Sequence, residues 1–308
     1  MQGQGSSTSL RIGFETSFGI KGGTAYEVPF MPTLDIKETQ NLNDSAVIRG
    51  TRNMDKSFLG FKAVDGSVSV PVDTKTTPKW LKGFLGDAVT TGTGPYTHVF
   101  KIQDLTIPSL FVEVAHEDLS LFYLHNGIKC NSFDVSFGGD GELMMNINLM
   151  GQKTTKATSQ AVAPTAITGN TKFEQFQAAI TGASSVKDFS INYTNNLDGS
   201  QYTIGDGGVR GEIPLGMAGV SGSFTALFEN STLLDAAKAN TTQSLTVTLT
   251  NGANSIEFDL EEVTLEPTGV SIDSPQGLSQ TFNYTAFWNA GTNASALQVT
   301  VVNDSATV

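Results

Sequence analysis

The residues that could do chemistry in this chain are few, and their spacing decides how far each can be taken. The metal-ligating and nucleophilic candidates beyond the acids are His98, His116, His125 and the single cysteine, Cys130. A structural zinc shell asks for four nitrogen or sulfur ligands, commonly in Cys-x-x-Cys or His-x-x-x-His pairs. His125 and Cys130 supply two ligands and no such pair accompanies them, so they read as a strand-edge histidine and a buried thiol, and no metal is expected. The glycine runs Gly138–Gly141 and Gly205–Gly208 lack the Lys-Ser/Thr and the strand-to-helix context of a phosphate loop. They read as tight turns at hairpin ends.

The strongest acidic cluster is Asp259, Glu261, Glu262 and Glu266. Strand alternation puts Glu262, Thr264 and Glu266 on one face and Val263 and Leu265 on the other. A carboxylate pair can act as acid and base when a pocket holds substrate between the two groups. No aromatic or basic partner is tied to this pair by spacing, so Glu262 and Glu266 read as a hydrated acidic face. Gly-x-Ser-x-Gly and His-Glu-x-x-His patterns are absent. No catalytic, cofactor-binding or metal residue is assigned, and no enzyme is expected. The basic candidates are Arg49, Arg52, Lys56 and Lys62 in one segment, and Arg210 beside Asp206 and Glu212 in another. Both segments read as arms that cross an interface and pair with an acidic rim on another subunit, with a solvated surface loop as the alternative.

The elements that must position these residues are strands. The 308 residues suffice for two compact domains. Thirty-two glycines and ten prolines, with many Thr, Ser and Asn, suit short strands and turns. Only 16% of residues are charged, which leaves uncharged polar surface free to pack on neighbours. The net charge of −12 repels phosphate backbones and argues against tight nucleic-acid binding. One cysteine excludes an internal disulfide, and the expected setting is a reducing cytoplasm. The start of the sequence does not read as a signal segment, no stretch approaches a membrane span, and no membrane insertion is expected.

Residues 1–30 are Gly- and Ser-rich with isolated aromatics, Phe14, Phe18, Tyr26 and Phe30, and read as an extended arm docking by those anchors. Leu34 and Ile36 begin a half-buried strand. Between Asn43 and Phe61 the period lapses and no core strand is placed; such a loop usually has a job. Val68, Val70 and Val72 then alternate in a strand. Residues 74–86 predict a helix, capped by Thr76 or Thr77, with Pro78 in the first turn, Trp80, Leu81, Phe84 and Leu85 in one stripe, and Gly86 as terminator. Strands follow in YTHVFKI, LFVEVAH, LFYLH and NSFDVSF. In GELMMNINLMG, Leu143, Met145, Ile147 and Leu149 share the core face. Residues 153–172 are small, polar and proline-broken, and read as a linker.

Beyond the linker the order recurs. LDIKETQNL from Leu34 matches FSINYTNNL from Phe189, 155 residues on, and DGSVSV from Asp65 matches SGSFTA from Ser221, 156 on. A glycine-containing arm separates each pair, and a short helix follows each second strand, TPKWLKGFLG or STLLDAAKAN. LSQTFNYTAFW closes the second unit as GELMMNINLMG closes the first. The expectation is an all-β chain of two tandem antiparallel sandwich or barrel domains, each with one short flanking helix, over 31–152 and 173–308.

Strand, long hairpin arm, the DGSVSV strand, the TPKWLKGFLG helix, paired late strands and an alternating closing strand together resemble the phage tail tube protein family, over nearly the whole chain after the N-terminal segment. The resemblance implies a structural subunit in the virion tail. Its sheets would join side by side into rings that stack around a lumen for genome passage, with other tail proteins as further partners and no cofactor. It implies that residues 1–30, 43–61 and 198–217 make contacts within and between rings. A duplicated subunit is suited to a trimeric ring with pseudo-sixfold symmetry, and a hexamer with an outward second domain also accommodates it. Two other readings carry distinct expectations. A distal-tail or tube-terminating protein forms one ring that does not stack, and a carbohydrate-binding adhesion module would use Trp80, Trp288 and exposed tyrosines.

Overall fold

A computed structural model describes residues 2–102, 105–269, 277–291 and 293–308, and these fold as strands with two helices. The first half contains β1 (Thr8–Ser17), β2 (Ile20–Lys21), β3 (Ala25–Glu27), β4 (Thr33–Ser45), β5 (Asp55–Pro71) and α1 (Thr77–Leu85). It continues with β6 (Val89–Thr91), β7 (Tyr96–Lys101), β8 (Leu110–His116), β9 (Leu121–Phe137) and β10 (Met144–Gly151). Then come β11 (Lys153–Ala157), β12 (Pro164–Ala166), β13 (Ala178–Thr181), β14 (Val186–Thr194) and β15 (Gly219–Leu227). The chain ends with α2 (Thr232–Lys238), β16 (Gln243–Asn251), β17 (Asn254–Leu265), β18 (Ser279–Ala286) and β19 (Gln298–Asn303).

Alternation sets the strand faces as expected. In β10, Met145, Ile147 and Leu149 are buried while Asn146 and Asn148 are exposed, and β18 alternates without a break along its length. LFYLH and NSFDVSF, expected as separate strands, are one strand, β9, which passes through Gly127 at φ 66°. That left-handed conformation is tolerated by glycine and lets one strand serve two sheets. Trp80, Leu81, Phe84 and Leu85 of α1 are fully buried, and Gly86 ends the helix at φ 94°. The cap differs from expectation. Asp73 Oδ1 accepts the N–H groups of Lys75, Thr76 and Thr77, while Thr77 Oγ1 accepts the Asp73 N–H at 2.8 Å. A carboxylate just upstream reaches several orphan donors at once, which a threonine hydroxyl cannot.

Two sandwiches separated by a linker are not what the pairing gives. All the strands belong to one network that does not close on itself. Its main path runs β4–β5–β10–β9–β14–β15–β18–β17, each step antiparallel. A second layer joins β3, β1, β8, β9 and β11. The halves share two strand ladders, β9–β14, where Phe137, Val135 and Phe133 face Phe189, Ile191 and Tyr193, and β7–β19, with further backbone contacts such as the Glu142–Glu174 bridge. One hydrophobic cluster runs through both halves. Within the expected linker, β11 pairs with β9 and β12 pairs in parallel with β3, because its polar residues can still donate ladder hydrogen bonds on a sheet edge.

The N-terminal segment is also more than an arm. β1 pairs with β8 over seven residues, and Leu10 and Ile12 are buried in the core. Between Asn43 and Phe61 the chain is a hairpin whose strands pair Leu42 with Leu59 and Asn43 with Phe58. It stands clear of the core on both faces, which is why its apolar period lapses.

The registers of the two halves coincide. Leu34 faces Val68 as Phe189 faces Phe224, and Ile36 faces Gly66 as Ile191 faces Gly222. Val68 faces Ile147 as Phe224 faces Phe282.

Candidate assembly surfaces

The two arm segments behave differently. The tip of the β4–β5 hairpin carries Val47, Ile48 and Met54 in the open, with Ile48 92% exposed, and Leu42, Phe58 and Leu59 are exposed on its shaft. Arg49 pairs with Asp55 at 2.7 Å across the tip and remains exposed, as do Arg52 and Lys56. Apolar side chains and cations are thus exposed side by side on this hairpin. The second arm, residues 198–217, lies in the 195–218 connection between β14 and β15, which folds back over the first half. Arg210 is buried within the chain, bonded to Asp65 and to the carbonyls of Val64 and Gly151. The structure therefore does not bring Arg210 together with Arg49, Arg52 and Lys56, and its guanidinium holds the chain to itself.

The acidic face has Val263 and Leu265 buried on its reverse, as the alternation predicts. Glu262 accepts a hydrogen bond from Asn289 Nδ2 at 2.6 Å, and Glu266 accepts one from Asn283 Nδ2 at 2.7 Å. Among the described residues, side-chain amides donate to both carboxylates. A groove of about 550 Å³ is lined by Met217, Val220, Ala286, Phe287 and Trp288 among others, and its Phe287 N–H donates to the Glu262 carbonyl. Trp288 is 65% exposed, and its indole N–H donates to the Ala294 carbonyl at 3.0 Å.

Each aromatic expected to anchor the N-terminal segment lies under a lysine ammonium. Lys82 stands 4.8 Å from the Phe14 ring, Lys129 5.6 Å from Phe18, Lys79 3.8 Å from Tyr26 and Lys172 4.1 Å from Phe30. Burial, with Lys82 nearby, pulls Lys79 down to about 8. The sequence does not signal the pairing, since the lysines lie far along the chain from their rings.

His125 and Cys130 form no joint site. Cys130 is fully buried and burial pushes its thiol up. His125 is buried with Nδ1 2.8 Å from Thr154 Oγ1. Among the described residues no group of three or more His, Cys, Asp or Glu side chains is placed to hold a metal ion. No described helix is long and apolar enough to cross a membrane. Sequence reasoning missed two buried polar joints. Arg11 pairs with Glu113 at 2.9 Å between β1 and β8, and Asn195 bridges the carbonyls of Phe84 and Cys130 at the root of the second arm. Arg11 sits between apolar neighbours and Asn195 in a polar run, and only the partner's identity would have marked either.

The family model described as phage tail tube protein matches residues 5–286. No curated protein matches the chain.

Proposed function

Because the chain belongs to the phage tail tube protein family, and is a non-enzymatic structural subunit of the virion's tail tube that associates with its own kind, we propose that three copies close each ring, every copy supplying two wall units. The units are residues 31–152 and 173–308, with residues 1–30 attached to the first. The observation that carries this reading is the junction already inside the chain. β14, the first long strand of the second unit, lies between β15 and β9 of the first unit, and Phe189 and Ile191 are buried there. Leu34 and Ile36 hold the equivalent positions on β4 but are only half-buried, since β4 pairs with β5 alone among the described residues. An open strand edge seeks a partner, and a head-to-tail contact repeated by rotation closes a ring. Repeating the internal junction at β4 gives a wall of six units from three chains.

A hexamer would have to set the second unit outside the wall, which the shared sheet opposes. The net charge of −12 suits a tube past which nucleic acid slides without sticking. Assembly in the host cytoplasm fits the single buried thiol. Electron microscopy of purified protein across concentrations tests the stoichiometry. Stacked hollow rings whose mass corresponds to three chains, with pseudo-sixfold top views, are expected, and six chains per ring would refute the two-unit wall. Single rings that never stack would favour a distal-tail or terminating protein.

A further inference from the structure

Resting on that ring reading, the same internal repeat specifies what fills the groove beside Trp288. In the first unit the corresponding surface is already covered by residues 195–218. Arg210 donates to the carbonyls of Val64 and Gly151, at 3.0 and 3.1 Å. The Tyr202 ring stacks on Phe61 with centroids 4.4 Å apart, and the Lys62 N–H donates to the Gly208 carbonyl at 2.8 Å. The ladder registers carry Val64 onto Val220 and Gly151 onto Ala286, and the same 156-residue step carries Phe61 onto Met217. Val220, Ala286 and Met217 line the groove. Val220 and Ala286 are buried as Val64 is; what the second unit leaves open is the rim, where Met217 is 87% exposed against 62% for Phe61 under Tyr202, and where Trp288 stands exposed.

We propose that this groove seats residues 45–55, the tip of the β4–β5 hairpin, of a second copy of this chain, the lateral neighbour in the ring. The hairpin is the first unit's counterpart of the segment that covers the first-unit site. Counted forward from the Leu42 and Leu197 pair, Val47 takes the place of Tyr202, to lie on Met217 in the place of Phe61. Counted back from Phe61 and Met217, Met54 takes the place of Arg210. Ser221 stands where the first unit has Asp65, so both ends of that ion pair are replaced together and an apolar contact over Val220 and Ala286 succeeds it. The exposed apolar tip matches an apolar groove in chemistry.

Charge agrees. Arg49, Arg52 and Lys56 flank the tip, while Glu262 borders the groove, its carbonyl accepting the Phe287 N–H at 3.0 Å and its carboxylate held by Asn289. Opposite charges at the rim of an apolar contact fix register and partner. The arm is on this account a lock between neighbours in one ring, and stacking is left to other surfaces.

The test mixes two single variants, Val47→Cys and Met217→Cys, at assembling concentration under mild oxidation. Cys130 is fully buried with its thiol raised by burial, so it does not compete. A disulfide-linked dimer is expected in the mixture and in neither variant alone. In the wild-type chain, acrylamide quenching of Trp288 should fall several-fold on assembly, with fully buried Trp80 as a constant background. Should the cysteine variants fail to assemble, the wild-type quenching decides by itself. Rings that form without the cross-link while Trp288 stays open to quencher overturn the docking and leave the ring intact. A wild-type chain that never associates overturns the ring reading and the docking with it.

Discussion

Arg210 and Asp65, 145 residues apart, meet in two parallel hydrogen bonds of 2.8 and 3.0 Å, with the arginine buried and the aspartate half-exposed. A planar guanidinium facing a carboxylate in this way fixes orientation as well as proximity. The pair fastens the second arm across β5. Because the same guanidinium also serves two buried carbonyls, Arg210→Ala should cost about 2–3 kcal/mol, most of it from the acceptors left without donors. Asp65→Asn should cost only about 1 kcal/mol, since water reaches that side. Urea unfolding of both variants checks the order, and equal losses would mean that the ion pair, not the carbonyls, holds the arm.

The N-terminal segment gives a second prediction. If residues 1–30 were an arm docked by aromatics, trimming Leu10 would matter little. Leu10 and Ile12 are 1% exposed and lie in the strand that pairs with β8. Leu10→Ala should therefore cost about 3 kcal/mol, in the range for a buried leucine leaving a cavity. Phe14→Ala should cost less, because Phe14 is only partly buried and Lys82, on losing the ring, keeps its ion pair with Asp87. Thermal or urea denaturation of the monomer separates the two.

What was legible in the sequence was whatever a period or a local turn determines. β10, β18 and α1 follow from alternation, from the apolar stripe of Trp80, Leu81, Phe84 and Leu85, and from Gly86. The matched registers at Leu34 and Phe189 were visible as a spacing. Long-range choices were not. That β9 spends its far end on β14 instead of finishing its own unit depends on the mating of Phe137 with Phe189, and neither residue's neighbours announce it. Arg210 looked like Arg49 and Arg52 because charge is local information, whereas burial against Val64 and Gly151 is not. The groove at Trp288 gathers residues from α1, β14, β15 and its preceding segment, and β18 and its following segment, so no window of sequence contains it.

A third prediction concerns acid. Burial pulls His125 down to about 4, against a smaller opposing pull from the Glu38 carboxylate. Lys37, His116, Tyr123 and Lys156 are the other titratable groups lining the same hollow. A histidine whose folded value lies below its unfolded one binds its proton more readily when unfolded. Its contribution to stability is therefore complete above about pH 6.5 and is lost as the pH falls towards 4, at up to about 1.4 kcal/mol per pH unit. Between pH 7 and 5.5 the wild type should lose about 1 kcal/mol more than His125→Gln, and parallel stability curves for the two would place the acid-sensitive group elsewhere.

The last prediction separates the charge on the hairpin from its apolar tip. Arg49, Arg52 and Lys56 sit on exposed positions, and ions at the rim of an interface act chiefly on the encounter and its register. The monomer gains little from them: the Arg49 and Asp55 pair is largely solvated on the arginine side, where such pairs contribute about 0–1 kcal/mol. Arg49→Glu with Arg52→Glu should thus leave monomer stability nearly unchanged while slowing association severalfold. The deficit should shrink as salt is raised from about 0.1 M to 1 M and the screening length drops from about 10 Å to 3 Å. Ile48→Asp should behave otherwise, because a desolvated carboxylate in an apolar seat is not rescued by screening. Light-scattering kinetics of the two variants across the salt series read the difference. If Ile48→Asp recovered with salt as fully as the double charge variant, the tip would be meeting charge and not the apolar floor beside Trp288.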